Sequence, residues 1–329
     1  MGSGLQNPVL ADGKPDHCAK SMENTFISSA SLRVSRIGLG CVTFGREIDE
    51  AAAHVLLDCA YARGIRFYDT ASAYSQGASE SILGRWIASR RPAAGSITVA
   101  TKLLPPYGPQ RIAEAVDASL QRLGAAVIDL FYLHSWDATA ESPAALAALD
   151  AAVRAGKIRA LGASNYNRQQ LETALAWQRR HGLEHFSVVQ NNHNLAVRDV
   201  SPALLQFCDS RNIDVVTYSP LGAGFLTGKH RQGVQPGSRF DVAPGHQQVY
   251  FHEQAYQRLA RLESVAARTG HSQAHLALAW ALHQPGVASV LVGGRTPAHL
   301  DQALAAQAFD DPALFGKLGD DRSRDAHTS

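Results

Sequence analysis

The sequence alternates short apolar segments with longer segments that have helical spacing. Seven of the apolar segments recur about every 30 residues, which is the length of one strand and one helix in a repeating β/α unit. An eighth follows after a longer interval. The eight segments cover residues 37–41, 65–68, 97–100, 128–132, 158–162, 188–190, 215–218 and 290–292. This alternation predicts parallel strands connected by helices.

The intervening segments support this prediction. Apolar residues have helical spacing over residues 55–60 and 146–153, and Gly64 and Gly156 then stand where helices commonly end. Eight short apolar strands covered by helices favour a closed barrel over an open sheet with two exposed edges. We therefore predict an α/β fold, a single-domain (β/α)8 TIM barrel.

The predicted barrel domain spans residues 23–315. Residues 1–22 are rich in Gly, Pro, Asp and Lys without periodicity, which predicts a flexible N-terminal extension, and residues 316–329 are predicted to form a C-terminal tail. The longest interruption runs from Gly222 to about Val249, before helical sequence resumes near Glu253. A loop of this length in a compact domain is usually functional.

The charge balance argues against a charged macromolecular partner. The 329-residue chain carries 31 Lys and Arg against 29 Asp and Glu, so no strong overall field favours nucleic acid or a membrane surface. No window of about 18 apolar residues is available to span a bilayer. Four scattered cysteines without a C-x-x-C pair predict a cytoplasmic location, and no histidine motif predicts a metal. We expect a small-molecule substrate, with a monomer and a homo-oligomer both left open.

Four polar residues follow successive apolar segments: Asp69, Tyr74, Lys102 and His134. Active sites of such barrels lie at the carboxyl ends of the strands, so we expect these side chains to meet. A Tyr phenol, with an ordinary pKa of about 10, is a poor acid unless a cation stabilises its ionised form. Lys102 is placed to be that cation, Asp69 to hold its charge, and His134 to hydrogen-bond a substrate carbonyl. The set suits protonation of an oxygen as hydride arrives.

Seven motifs stand at the ends of the predicted strands, in the order DTASAY, VATK, DLFYLH, GASN, VVQNNHN, VVTYSPLGAGFLTGK and VGGRTP. Together they resemble the aldo-keto reductase superfamily over about residues 32–304. The resemblance implies an oxidoreductase that reduces an aldehyde or ketone, including sugar-type carbonyls, with a nicotinamide cofactor. It assigns Tyr74 as the general acid, Lys102 and Asp69 as the pair that tunes it, and His134 as the residue that orients the substrate.

The resemblance also implies a cofactor site. Amide side chains suit the carboxamide, an aromatic face suits the nicotinamide ring, and glycines let the backbone approach phosphate. The residues carried over are Gly40, Cys41, Asp69, Ser164, Asn165, Gln190, Tyr218, Ser219, Pro220, Leu221, Gly222, Gly224, Lys229, Arg239, Gly293, Arg295, His299 and Gln302.

The far end of this cofactor site departs from the family pattern. His299 stands where Gln or Arg is usual, and Gln302 and Ala303 stand where Glu and Asn are usual. Arg295 is able to pair with a 2′-phosphate and His299 to assist it, so we expect NADP, with NAD as the alternative.

The substrate site is predicted to comprise Tyr74, His134 and Trp136, but the sequence does not distinguish among sugars, aldehydes and ketones. Two other classes stay open. A lysine at a barrel strand end forms a Schiff base in aldolases, which would make Lys102 a nucleophile. A cofactor-bound regulatory subunit is the second, because potassium-channel β-subunits belong to the same superfamily. Those subunits often have Asn at the end of the fourth strand, in the position that His134 occupies here, so His134 favours a working reductase.

Overall fold

The computed structural model describes residues 24–27 and 30–320. A two-stranded antiparallel sheet comes first, formed by β1 (Asn24–Ile27) and β2 (Leu32–Ser35). Eight parallel strands follow and close into a barrel in chain order, the last pairing with the first. They are β3 (Ile37–Gly40), β4 (Phe67–Asp69), β5 (Thr98–Leu103), β6 (Ile128–Leu133), β7 (Ile158–Ser164), β8 (Phe186–Asn192), β9 (Asp214–Tyr218) and β10 (Val287–Gly293). The predicted (β/α)8 barrel is confirmed.

Helices alternate with the barrel strands and cover them on the outside. They are α1 (Glu50–Ala62), α2 (Ala78–Arg90), α3 (Pro109–Leu123), α4 (Pro143–Arg154), α5 (Arg168–Arg180), α6 (Pro202–Asp209), α7 (Arg239–Val242), α8 (Gln247–Tyr250), α9 (Glu253–Thr269), α10 (Gln273–Leu282), α11 (Pro297–Gln307) and α12 (Pro312–Gly319). The long segment between β9 and α9 contains α7 and α8, and α9 begins at the predicted Glu253.

Local chemistry sets where the helices begin and end. Asn167 and Gln170 form a reciprocal capping box before α5, in which each side chain accepts a hydrogen bond from the other residue's backbone N–H at 2.9 Å. Gly124 ends α3 with a φ of +61°, a conformation that glycine adopts without strain. These sharp ends keep the connections short and hold the residues that follow each strand at the barrel mouth.

The hairpin of β1 and β2 covers the amino-terminal end of the barrel. Ile27, Leu32 and Val34 are buried against the side chains that fill the barrel interior. At its base, the Thr98 hydroxyl donates to the carbonyl of Arg33 at 2.7 Å, beside the start of β5. The sequence pattern did not predict this hairpin. Its closure of one end leaves the opposite, carboxyl-terminal end of the barrel as the open face.

The predicted extension and tail lie at the two ends of the chain. Residues 1–22, predicted to be a flexible extension, lie outside the described part of the chain. Helix α12 runs through residue 316, where the C-terminal tail was predicted to begin, because Phe315 and Leu318 bury their side chains against the barrel helices. In residues 24–27 and 30–320, no helix has the length and apolar character needed to cross a membrane, and no cluster of three or more His, Cys, Asp or Glu is arranged to hold a metal ion.

Candidate active site

Alternation along three adjacent strands brings the predicted catalytic residues to the same side of the barrel wall. Successive strand residues face opposite sides, so Asp69 and Lys102 point inward together with the interior residues two positions before them. His134 follows β6 in the same phase, and Tyr74 opens the short 3-10 turn Tyr74–Gly77 after β4. Asp69, Tyr74 and His134 line a cavity of about 740 Å³ at the carboxyl ends of the strands. Lys102 lies buried behind them.

Lys102 is the centre of the buried network. Its Nζ donates to a carboxylate oxygen of Asp69, to the carbonyl of Thr70 at 2.9 Å and to the hydroxyl of Tyr74 at 3.4 Å. Gln190 donates to the second oxygen of Asp69 at 2.9 Å. Burial opposes the charged ammonium, but the nearby Asp69 carboxylate and Tyr74 outweigh it and raise the pKa of Lys102 above its ordinary value. Burial also raises the pKa of Asp69, against the effect of Lys102. The close contact between the two side chains favours the charged form of Lys102 beside the Tyr74 hydroxyl.

Tyr74 and His134 face each other at the cavity wall. Their rings pack edge to face, with centroids 5.7 Å apart. Burial raises the pKa of Tyr74 although Lys102 acts in the opposite direction, so the phenol holds its proton at neutral pH. Burial, assisted by the charge of Lys102, lowers the pKa of His134 to about 3. The site therefore pairs a protonated phenol with a neutral imidazole.

A second hydrogen-bonded chain links the aromatic wall of the cavity to His134. The Tyr218 hydroxyl donates to Asn165 Oδ1 at 2.6 Å, and Asn165 Nδ2 donates to the backbone carbonyl of His134 at 2.9 Å. Asn165 adopts a φ of +60°, which is uncommon for a residue with a side chain and often marks a functional site. The strain at Asn165 places its amide between the two groups.

The cavity continues away from Tyr74 along the ends of β7 to β10, where most of the predicted cofactor residues lie. The predicted residues that line it are Gly40, Asp69, Ser164, Asn165, Gln190, Tyr218, Ser219, Pro220, Leu221, Gly224, Lys229, Arg239, Gly293, Arg295, His299 and Gln302. Besides the buried Lys102, three predicted residues, which belong to the cofactor and substrate sites, are absent from the lining: Cys41, Gly222 and Trp136.

The three exceptions have separate physical reasons. Cys41 packs in the layer between the strands and the outer helices, so its side chain faces away from the cavity. Gly222 is buried with a φ of +57°, and a Cβ there would lie 3.0 Å from the Tyr250 ring, so its backbone conformation and close packing both favour glycine. Trp136 is 37% exposed, and its indole N–H donates to Glu141 outside the cavity. Trp136, predicted to belong to the substrate site, therefore does not line this cavity.

The far end of the cavity collects positive charge. Lys229, Arg295 and His299 all line it. Burial, together with the charges of Arg295 and Lys229, lowers the pKa of His299, so the positive charge here comes from Lys229 and Arg295. No ion pair to Lys229 or Arg295 is found within the described chain. Backbone and side-chain contacts order this end, since Arg295 N–H donates to His299 Nδ1 at 3.2 Å and its guanidinium to the carbonyl of Gly237 at 3.1 Å. Cations without acidic partners suit an anionic group such as phosphate.

The cavity therefore fits an extended dinucleotide. It extends from the uncharged amide of Gln190 and the aromatic ring of Tyr218 to the cationic end. Between them Gly224 has a φ of +94°, which favours glycine, and the end of the Lys229 side chain packs closely against it, 3.1 Å from where a Cβ would stand. A glycine-containing loop followed by a lysine is a common way to receive phosphate.

Several lining residues were not predicted, and most come from segments far apart in sequence. Glu47 follows β3 and lies 3.6 Å from Arg239 of α7, which also contacts His246 at 2.9 Å. Tyr250 of α8 receives a hydrogen bond from Asn192 at the end of β8 at 3.0 Å. The available signal for Asn192 was its place in the polar run that follows the apolar segment of β8. Nothing in the local sequence marked Glu47, His246 or Tyr250.

A barrel whose open end carries a Tyr, Lys and Asp network, a facing neutral His and a long cavity with a cationic end is typical of barrel oxidoreductases. Residues 36–312 match the model of the aldo/keto reductase family. The chain belongs to this family. Aldo/keto reductases use nicotinamide cofactors in general and act on small-molecule carbonyl compounds.

Three relatives illustrate the range of similar proteins. The chain is 32% identical to Protein tas of Escherichia coli, in an alignment that covers 82% of this chain and 88% of that protein. It is 32% identical to norsolorinic acid reductase B of Aspergillus parasiticus, over 83% of this chain and 76% of that protein. It is 27% identical to a probable voltage-gated potassium channel subunit beta of Arabidopsis thaliana, over 87% and 91% respectively.

Proposed function

We propose that this protein reduces an aldehyde or ketone to an alcohol with NADPH, using Tyr74 as the general acid. The observation that carries the proposal is the network in which Lys102 contacts both Asp69 and the Tyr74 hydroxyl at the cavity wall. The free thiols of Cys41, Cys59 and Cys208 are compatible with the predicted cytoplasmic location.

The bound nicotinamide would supply hydride to the carbonyl carbon. Tyr74 then gives its proton to the carbonyl oxygen, and the phenolate that remains lies beside the Lys102 ammonium. Asp69 keeps Lys102 charged throughout, so the phenolate is stabilised as it forms. Because burial raises the pKa of Tyr74, the acid is protonated before the reaction, and Lys102 offsets part of the cost of its ionisation.

His134 donates a hydrogen bond to the same oxygen and fixes its position relative to Tyr74. A pKa of about 3 keeps the imidazole neutral, so it orients the carbonyl without competing with Tyr74 as the acid. Ser164, Gln190 and Tyr218 would hold the nicotinamide end of the cofactor. Lys229, Arg295 and His299 would hold its phosphates, with Arg295 assisted by His299 at the 2′-phosphate, and this assignment supports NADP over NAD.

The other two readings receive less support. A Schiff-base lysine must lose its proton, whereas the Asp69 carboxylate raises the pKa of Lys102, so the buried pair does not favour an aldolase. The similarity to a channel subunit keeps a regulatory role under consideration. His134 at the cavity wall beside Tyr74 favours catalysis.

A direct assay tests the proposal. Purified protein is titrated with NADPH and with NADH to measure cofactor binding. The loss of reduced-nicotinamide absorbance is then followed with a panel of sugars, aldehydes and ketones. We expect NADPH to bind more tightly and at least one carbonyl compound to be reduced. Tight cofactor binding without turnover on any carbonyl would favour the regulatory reading instead.

The Tyr74→Phe variant tests the acid. It removes the proton donor and leaves the cavity lining otherwise unchanged, so we expect kcat to fall at least about 100-fold with an NADPH Kd close to that of the wild type. Tyr256→Phe is the matched control, because Tyr256 is an exposed tyrosine on α9 away from the network. Reduction at the wild-type rate by Tyr74→Phe excludes Tyr74 as the acid.

A further inference from the structure

His134 lacks a side-chain anchor of its own. Its Nδ1 is buried and has no hydrogen-bond partner in the described part of the chain. The ring touches Tyr74 edge to face, a contact that constrains it from one side only. The orientation of the imidazole therefore depends on how firmly the backbone at residues 134 and 135 is held.

The backbone of His134 itself is held at two points. Its N–H donates to the carbonyl of Leu103 at 2.8 Å, which extends the ladder between β5 and β6 by one residue. Its carbonyl accepts from Asn165 at 2.9 Å. The strand ladder ends here, so the next peptide, at Ser135, needs a partner from elsewhere.

Tyr107 supplies that partner. It lies in the loop between β5 and α3, and its side chain is fully buried. Its hydroxyl accepts from the Ser135 N–H at 3.2 Å and lies 2.7 Å from the Ser135 carbonyl and 3.2 Å from the Leu103 carbonyl, to either of which it is able to donate. The Tyr107 hydroxyl thus connects the ends of β5 and β6 at the position where the backbone hydrogen bonds between these strands stop.

The backbone of Tyr107 also contacts the loop after β6, which contains Ser135 and Thr139. Its N–H donates to the Thr139 hydroxyl at 2.7 Å, and Thr139 is in turn fixed by Asp137. Burial raises the pKa of the Tyr107 phenol to about 12, so the hydroxyl keeps its proton over any ordinary assay range. The loop after β5 and the loop after β6 are therefore joined through this side chain at both of its ends.

We infer that Tyr107 is a positioning residue for His134, acting through the Ser135 peptide to hold the imidazole at the angle needed for the substrate carbonyl. The inference rests on the role proposed above for His134. Small displacements of an orienting group are costly, since about 1 Å of misplacement is able to reduce the rate about 100-fold.

The test compares Tyr107→Phe, His134→Ala and the double variant. Tyr107→Phe keeps the ring and removes the hydroxyl, so we expect kcat to fall about ten- to 100-fold while the NADPH Kd is unchanged. In the His134→Ala background the same substitution is expected to lower kcat less than about twofold, because the two changes remove one function. An equal loss in both backgrounds overturns the inference, because a merely structural effect is independent of His134.

Tyr68→Phe is the matched control. Tyr68 is equally buried and its hydroxyl donates to the backbone carbonyl of Ile65 at 3.1 Å, but it packs against Trp86 on the outer side of the barrel wall. We expect its kcat to stay within about twofold of the wild type. A loss equal to that of Tyr107→Phe would assign both effects to general loosening of the fold and overturn the inference.

Amide hydrogen exchange supplies a readout that needs no turnover. The Ser135 amide of the wild type is expected to be protected and to exchange at least about tenfold faster in Tyr107→Phe. Exchange at an exposed-loop rate in the wild type, or an unchanged rate in the variant, overturns the inference. Full activity of His134→Ala would instead contradict the proposed function, even where the Ser135 exchange shows that the Tyr107 hydroxyl holds the peptide.

Discussion

Replacing Lys102 by Met removes one charge from a fully buried pair and leaves the other uncompensated. The Met side chain has a similar length and fills the same space, so the change isolates the charge. Asp69 is 2% exposed and would retain only the Gln190 amide as its side-chain donor. A buried carboxylate without its cation either remains ionised at a large cost or takes up a proton.

Protonation of Asp69 limits the cost and gives it a defined pH dependence. In the unfolded chain Asp69 loses this proton near a pKa of about 3.9. For each pH unit above that value, a folded state that keeps Asp69 protonated loses about 1.4 kcal/mol of its free energy of unfolding. The loss of stability is therefore about 4 kcal/mol at pH 7 and about 1.5 kcal/mol at pH 5. Because the folded variant binds the extra proton, its stability relative to the wild type rises as the pH falls.

Urea unfolding of wild type and variant at pH 7 and pH 5 measures this deficit. Lys102→Met combined with Asp69→Asn has no carboxyl group to titrate, so its deficit is expected to be the same at both pH values. Lys157→Met controls for loss of an ion pair as such, because Lys157 and Asp117 are both exposed and such pairs contribute about 1 kcal/mol or less. A Lys102→Met deficit that does not shrink at pH 5 refutes the reasoning.

Two further predictions concern the pH profile and the cofactor. Because burial holds the pKa of His134 at about 3, we expect no acid limb from this residue in kcat between pH 5 and pH 7; a limb near pH 6.5 that disappears in His134→Gln would contradict this. Arg295→Ala should weaken NADPH about tenfold and leave the NADH Kd nearly unchanged, whereas Arg63→Ala, which breaks an ion pair to Asp301 of α11 outside the cavity, should change neither. Equal weakening of both cofactors by Arg295→Ala would place that guanidinium away from the 2′-phosphate.

The strands were predictable because burial on both faces leaves a continuous apolar run in the sequence. The same property set the limit of the prediction. Strand β8 (Phe186–Asn192) extends past its apolar run, since Asn191 and Asn192 are buried with hydrogen bonds to the Tyr166 carbonyl and the Tyr250 hydroxyl. The partner Tyr250 is 58 residues from Asn192. A polar strand residue is therefore recognisable only once the fold supplies its partner.

The positions of the proposed catalytic residues were predictable for a different reason. Asp69, Lys102 and His134 each stand within two residues of the end of an apolar run, and the alternation of a strand determines which of its positions face inward. Tyr74 lies in the turn after β4, so its place came from the motif that follows the strand. Tyr107 shows what this reasoning misses. Its proposed role depends on hydrogen bonds between its hydroxyl and the backbone of Leu103 and Ser135, and these contacts exist only in the folded chain. The β1 and β2 hairpin was missed because it adds no repeat to the β/α pattern.

Asp69 joins the two halves of the site. One carboxylate oxygen accepts from Lys102, which contacts the Tyr74 hydroxyl, and the other accepts from Gln190, which lines the cavity beside Ser164. Because a carboxylate held at both oxygens has little freedom to rotate, a shift of the Gln190 side chain would move the field that Asp69 exerts on Lys102. Gln190 thus contacts the Asp69 carboxylate and also lines the predicted nicotinamide site, so under the proposed function the way in which Gln190 holds the cofactor would affect how readily Tyr74 gives up its proton.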